Sequence, residues 1–197
     1  MMENHGIPPF LYHATGLKAF NAILEEGLRT EHFGAVHGAM EYAPAGPSIY
    51  LSRHESSSNL NTALFDEGTD RVRLLKIDTS YLDVDLIYPD DALMYLVDED
   101  YLEDCETFKD LTRPIISDFA ERFGMNLNKA RRVLTSCLED GEKGYPAALR
   151  EMWPEYLKVE GEVAYLGDID PEAVCGWKAY CDRQWQEHPD PSDTLEP

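Results

Sequence analysis

Apolar positions in this chain come in two rhythms. Short β-type runs occupy the first half and the last fifth, and helical spacing dominates between them. Phe10-Leu11-Tyr12 predicts a short strand that ends on His13-Ala14-Thr15-Gly16. Leu17, Phe20, Ile23 and Leu24 then recur on one helix face. Thr15 or Gly16 is placed to cap that helix, and Gly27 to end it. Residues 29–47 hold Gly34, Gly38, Pro44, Gly46 and Pro47, so they read as a loop, and its length points to a ligand-covering role. Ile49 to Leu51 is a strand that runs into Ser56-Ser57-Ser58. Ser56 or Ser57 caps a predicted helix through Leu60, Ala63 and Leu64, ending near Gly68. Val72 to Ile77 reads as a strand, and Val84 to Tyr88 as a weaker one.

Residues 112–157 carry a helical pattern throughout, with Pro114 in a first turn, Gly124 at a stop and an apolar stripe from Leu127 to Leu138. Gly141 and Gly144 break the chain again. Ala147 to Leu157 predicts a last helix interrupted by Pro154. Val163 to Leu166 and Ala173 to Tyr180 complete the strands. Strands and helices in separate blocks predict an α+β fold rather than a doubly wound sheet. The expected organisation is one domain over residues 1–185 with a helical insertion at about 90–158. A polar, Pro-rich tail at 186–197 is expected to be disordered.

Composition narrows the function classes. With 197 residues, 43% apolar and 11% aromatic, the chain is long and apolar enough for a sizeable core. No run of about 18 apolar residues exists, so no membrane span is expected. The start, Met1 to Gly6, lacks a basic segment followed by an apolar one, so no secretory signal is expected. Cys105, Cys137, Cys175 and Cys181 form no Cys-x-x-Cys pair and read as reduced thiols of a cytoplasmic protein. His32 and His37 have no partner at metal-ligand spacing, so no metal is expected.

The net charge of −21 changes the picture most. A surface of that sign repels phosphate and suggests a basic partner rather than nucleic acid. Arg122, Lys129, Arg131 and Arg132 form a local basic cluster that reads as a solvated helix face. Residues 83–106 hold ten acidic and no basic side chains, either a solvated face or a partner-binding surface. No Gly-x-Gly-x-x-Gly or phosphate-loop signature is present.

Candidate chemistry sits at three positions: His13, Tyr50 and Glu162. Each has a plain structural reading, as a hydrogen-bonded core histidine, a core tyrosine and a strand-edge carboxylate. Their surroundings add more. His13, Ala14, Thr15, Phe20, Ile23-Leu24, Glu25-Glu26 and Gly27-Leu28-Arg29 follow one another without a gap. Ile49-Tyr50 is followed by Ser56 and Ser58, six and eight residues after the tyrosine. Glu162 opens the apolar run Val163-Ala164-Tyr165-Leu166. In this order the three motifs resemble the ADP-ribosyltransferase superfamily, in its poly(ADP-ribose)-polymerase-like branch with a His-Tyr-Glu set. They span about a third of the chain; residues 90–158 match nothing in that pattern.

The resemblance implies a split antiparallel sheet and NAD as co-substrate. It implies that His13, with Thr15, bonds a ribose hydroxyl, that the backbone of Ala14 pairs with the nicotinamide amide, and that Tyr50 stacks on the nicotinamide ring. Ser56 and Ser58 belong to the same pocket, Ser58 holding the carboxamide. Glu162 would bond the 2′-hydroxyl of the nicotinamide ribose. On the acceptor side it points to Trp153, Tyr156 and Glu160, of which the two aromatics also read as helix packing. The sequence departs from the pattern at Ala14, where the family has Gly, at Ser48, where it has Gly before Ile-Tyr, and at Asn61, where it has a second stacking Tyr. The implied activity is mono-ADP-ribosyl transfer to a protein or small-molecule acceptor, with a toxin or effector role among its uses. The alternatives are a noncatalytic NAD- or ADP-ribose-binding or acidic interaction module, a nucleic-acid ADP-ribosyltransferase, and an RNA 2′-phosphotransferase, whose arginine set is absent.

Overall fold

The computed structural model describes residues 6–32, 47–56, 72–90, 92–140, 146–181 and 184–188. It is α+β, built on a seven-stranded antiparallel sheet. The strands are β1 (Phe10–Gly16), β2 (Ile49–Ser52), β3 (Val72–Asp78), β4 (Ile87–Pro89), β5 (Glu162–Tyr165), β6 (Val174–Cys181) and β7 (Gln184–His188). Their spatial order is β4-β5-β2-β1-β3-β6-β7. The helices are α1 (Leu17–Glu26), α2 (Ala92–Val97), α3 (Arg113–Phe123), α4 (Leu127–Asp140), α5 (Ala147–Arg150) and α6 (Trp153–Val159), with a π-helical turn over Asp98–Leu102. The predicted helix after Ser56, most of the 29–47 loop, His37, Ser58, Asn61 and the 141–145 break lie outside the described residues.

Side-chain alternation assigns the two sheet faces. Leu11, Ile49, Leu51, Leu75, Ile77, Val163 and Trp177 are buried on one face, where α1 lays Phe20 and Ile23 on them. Phe20 meets Trp177 edge-on, ring centroids 4.7 Å apart. The helices between β4 and β5 bury a second core of their own, including Met94, Phe119, Phe123, Val133 and Leu134. Helix α6 joins the two cores, because Leu157 enters the first and Tyr156 the second.

Four expectations change. His13 does not end a strand: β1 continues to Gly16, and His13 sits mid-strand opposite Leu75 of β3. The helix predicted over Ala147 to Leu157 is two helices, with Pro154 in the first turn of the second. The weak strand near 84–88 is displaced to Ile87–Pro89, behind a 3₁₀ turn over Val84–Leu86. Residues 186–188 are not tail; they belong to β7, where the His188 ring stacks on Trp177 at 3.9 Å and Glu187 pairs with Lys178 at 2.8 Å. Among the described residues no helix is long and apolar enough to cross a membrane.

Candidate functional site

The sheet sets β1 and β5 on either side of β2, so His13 and Glu162, 149 positions apart in the chain, lie on strands that flank the same strand. Ser52 is the meeting point, opposite Tyr12 of β1 and opposite Glu162 of β5. Arg53 N–H donates to Gly161 O at 2.6 Å, which makes the adjacent Ser52–Glu162 pair non-hydrogen-bonded. Such pairs bring their Cα atoms to about 4.5 Å. Tyr50 is opposite Ala164, two residues along, and so shares the face of Ser52 and Glu162. That face lies away from the α1 core. Glu162 is nevertheless 93% buried, being 7% exposed.

His13 alternates onto the other face with Leu11 and Thr15, and its ring reaches into the seam between β1 and β2. Its Nδ1–H donates to the carbonyl of Tyr50 at 2.9 Å. This bond changes the ladder. With Tyr12 opposite Ser52, a regular continuation would bring Ala14 opposite Tyr50 and give that carbonyl to the Ala14 N–H. The imidazole donates to that carbonyl, and the β1–β2 register pairs Tyr12 with Ser52. The direction of the Ala14 groups follows from their neighbours. Pro9 O accepts from Thr79 N beyond β3, and Tyr12 O lies 3.3 Å from Ser52 Oγ on the β2 side. Backbone groups at positions 12 and 14 therefore face β2, and those of Ala14 face the seam. An N–H and a C=O so placed are the donor and acceptor that a planar amide needs.

Burial pulls the His13 pKa below 6.5, against the opposing effect of the bond to Tyr50. With Nδ1 carrying the proton, the neutral ring presents Nε2 as an acceptor. The depressed pKa has a consequence for stability. The unfolded chain binds the proton that the folded chain refuses, so folding free energy is lost as pH falls below about 6.5. Thermal melts at pH 7.5 and 5.5 should show a smaller acid loss for His13→Gln than for the wild type. Equal losses would mean that His13 is not held neutral.

The segment after β2 is anchored at several points. Ser52 Oγ donates to His54 O at 2.8 Å, and Lys178 Nζ of β6 contacts both carboxylate oxygens of Glu55 at 2.7 and 2.8 Å. Burial and the Glu55 carboxylate raise the Tyr12 phenol above its ordinary range. Ser56 follows on an exposed bend. Ser52, Glu55 and Lys178 escaped the sequence reading. Glu55 and Lys178 are 123 positions apart, and nothing local marks either.

The acceptor-side residues separate. Tyr156 is 4% exposed and stacks on Phe123, so it is a core ring and not a platform. Trp153 is half-buried against the sheet core. Glu160 Oε1 lies 3.3 Å from Arg122, which also holds Asp100 at 3.0 Å. The basic cluster is largely neutralised in the same way, with Lys129 on Glu155 at 2.6 Å and Arg132 on Glu151 at 2.5 Å. From the 83–106 stretch, Leu93, Met94, Val97, Tyr101 and Leu102 are buried in the helical core while Glu99, Asp100, Glu103, Asp104 and Glu106 face solvent. Cys105 and Cys137 are free, buried thiols, and burial pushes Cys137 up to about 12.

The chain matches no family model, no curated protein and no solved structure. What can be said of its chemistry rests on the seam itself.

Part of the motif around α1 has a structural explanation. Gly27, at φ +82°, lets Leu28 exchange two backbone hydrogen bonds with Ile169, at 2.8 and 2.9 Å. Leu28 is fully buried, and Arg29 faces Asp168 and Asp170 at 3.7 and 3.8 Å. Gly27-Leu28-Arg29 thus ties the end of α1 to the β5–β6 connection.

Proposed function

We propose that this chain is an NAD-dependent mono-ADP-ribosyltransferase that moves ADP-ribose from NAD to a protein or small-molecule acceptor and releases nicotinamide. The observation that carries this reading is the convergence of His13, Tyr50 and Glu162 on three consecutive strands, with the Ala14 backbone turned into the seam between two of them.

Each group has a chemical task. The Ala14 N–H and C=O pair with the carboxamide of nicotinamide, and Tyr50 supplies a ring face for the pyridinium. Ser56 and Ser58 add hydroxyl donors. Neutral His13, with Thr15, accepts from a ribose hydroxyl. Breaking the glycosidic bond leaves positive charge on the sugar, as in other oxocarbenium-like displacements. A carboxylate fixed at Glu162 stabilises that charge more in the transition state than in the ground state. Its burial among strand backbone lowers the local dielectric and strengthens the effect.

Nicotinamide release from NAD, followed by chromatography, tests the reading. The wild type should release it, and Tyr50→Ala should need roughly tenfold more NAD for half-maximal release, the equivalent of about 1.4 kcal/mol of lost stacking. An unchanged NAD requirement would remove Tyr50 from the site.

A further inference from the structure

With Glu160 held by Arg122, the turn before Glu162 presents a different titratable side chain, His54. The residue between the two glutamates is Gly161, at φ +84°. A Cβ added there would lie 3.2 Å from Cδ2 and 3.9 Å from Nε2 of His54, so the imidazole packs directly on the glycine. The position is fixed from both sides: Arg53 N–H donates to Gly161 O at 2.6 Å, and Ser52 Oγ donates to His54 O at 2.8 Å. Ser52 is opposite Glu162, and His54 is two residues on. His54 lies on the bend just past the end of β2, against the glycine that precedes Glu162. His54 is exposed where Glu162 is buried. The charged groups about it are Arg53 and Glu55 on its own segment, and Glu160 and Glu162 on either side of Gly161.

Resting on the transferase reading, we propose that His54 is the general base on the acceptor side and that the acceptor nucleophile is a hydroxyl group. Glu162 and His54 divide the work by burial: the buried carboxylate faces charge on the sugar, and the exposed imidazole meets what arrives from solvent. In the step, the bond from C1 of the nicotinamide ribose to the pyridinium nitrogen breaks, and its electron pair leaves with neutral nicotinamide. The acceptor oxygen forms the new bond to C1, and its proton passes to Nε2 of His54 and then to solvent. Nothing is oxidised or reduced. The base selects the acceptor class. A carboxylate has no proton to lose, and a guanidinium holds its proton above the reach of imidazole. A hydroxyl is a weak nucleophile until a base removes its proton in the transition state.

His54→Gln and His54→Ala test this with the full chain. Binding of NAD should stay within twofold of wild type, which also reports that both variants fold. Transfer of label from NAD at pH 7 should fall by roughly 10²-fold or more. The acid limb of the wild-type pH–rate profile should vanish in both variants, and added imidazole should restore part of the His54→Ala rate. The product linkage should resist neutral hydroxylamine, and proteolysis then tells a protein hydroxyl from a small alcohol. Transfer at the wild-type rate in both variants from pH 5.5 to 8 would overturn the assignment while leaving the transferase reading intact. A hydroxylamine-labile ester would overturn it too, since a carboxylate needs no base. No nicotinamide release by the wild type would overturn both.

Discussion

Glu162→Ala should lower ADP-ribosyl transfer by about 10²–10³-fold while leaving the affinity for NAD within a few-fold of wild type. The split follows from the role proposed for the carboxylate. In that proposal it is, in the ground state, one hydrogen-bond acceptor among several groups on the substrate, and in the transition state it faces a sugar that has become cationic, so that the interaction grows as the charge grows. The position favours a large effect, because Glu162 is 7% exposed and the first residue of a strand paired along its length with β2. Binding by equilibrium dialysis and turnover by product release separate the two quantities. Glu162→Gln keeps the shape and a hydrogen bond but removes the charge, and it should recover little of the lost rate. Wild-type turnover in either variant would refute the role given to this carboxylate.

Gly27→Ala should be the most destabilising conservative change in the sheet region. A Cβ at residue 27 would lie 2.1 Å from the carbonyl oxygen of Ile169, a rigid backbone atom, and 3.1 Å from Pro171 Cδ. The φ of +82° adds about 1–2 kcal/mol for any L-residue. Relief requires α1 to move away from the β5–β6 connection, which breaks the two bonds between Leu28 and Ile169. Each costs about 1–3 kcal/mol when a buried partner is left unsatisfied. The sum is roughly 3–8 kcal/mol, or a fall in Tm of about 10 °C or more for a chain of this size. Differential scanning calorimetry measures it. A Tm within 2 °C of wild type would mean that this junction is looser than drawn.

The fold was largely legible because period and punctuation agreed. Leu17, Phe20 and Ile23 mark one helix face, and Gly27 ends it by geometry that only glycine tolerates. The α+β class followed from the blocks of strand and helix. Two kinds of error remained. One is local: the sequence pattern ends the first strand at His13, yet pairing with β3 through Arg73 and Val72 carries β1 on to Gly16, which also caps α1 as expected. The other is long-range: the strand after Pro171 reads as the end of the fold, but Trp177 and Lys178 offer a ring and a cation to β7.

The candidate site was legible in its residue types and not in its geometry. His13, Tyr50 and Glu162 stood out by their surroundings, and the sheet order makes their strands neighbours. What no local pattern carries is how they meet. Alternation puts Tyr50 and Glu162 on one face and His13 on the other, and only the bond from His13 to the Tyr50 carbonyl brings the imidazole to the seam. Of the two readings left open for Tyr156, the structure shows packing: its ring is buried against Phe123.

The most direct measurement follows NAD labelled in its adenylate half and, separately, in its nicotinamide. The chain is incubated with each in a cell extract, alongside Glu162→Ala. The transferase account predicts that adenylate label becomes covalently attached to an acceptor, protein or small molecule, while nicotinamide label is released in equal amount, both only with the wild type. Intact NAD recovered from both labels, or attachment undiminished in Glu162→Ala, would contradict it.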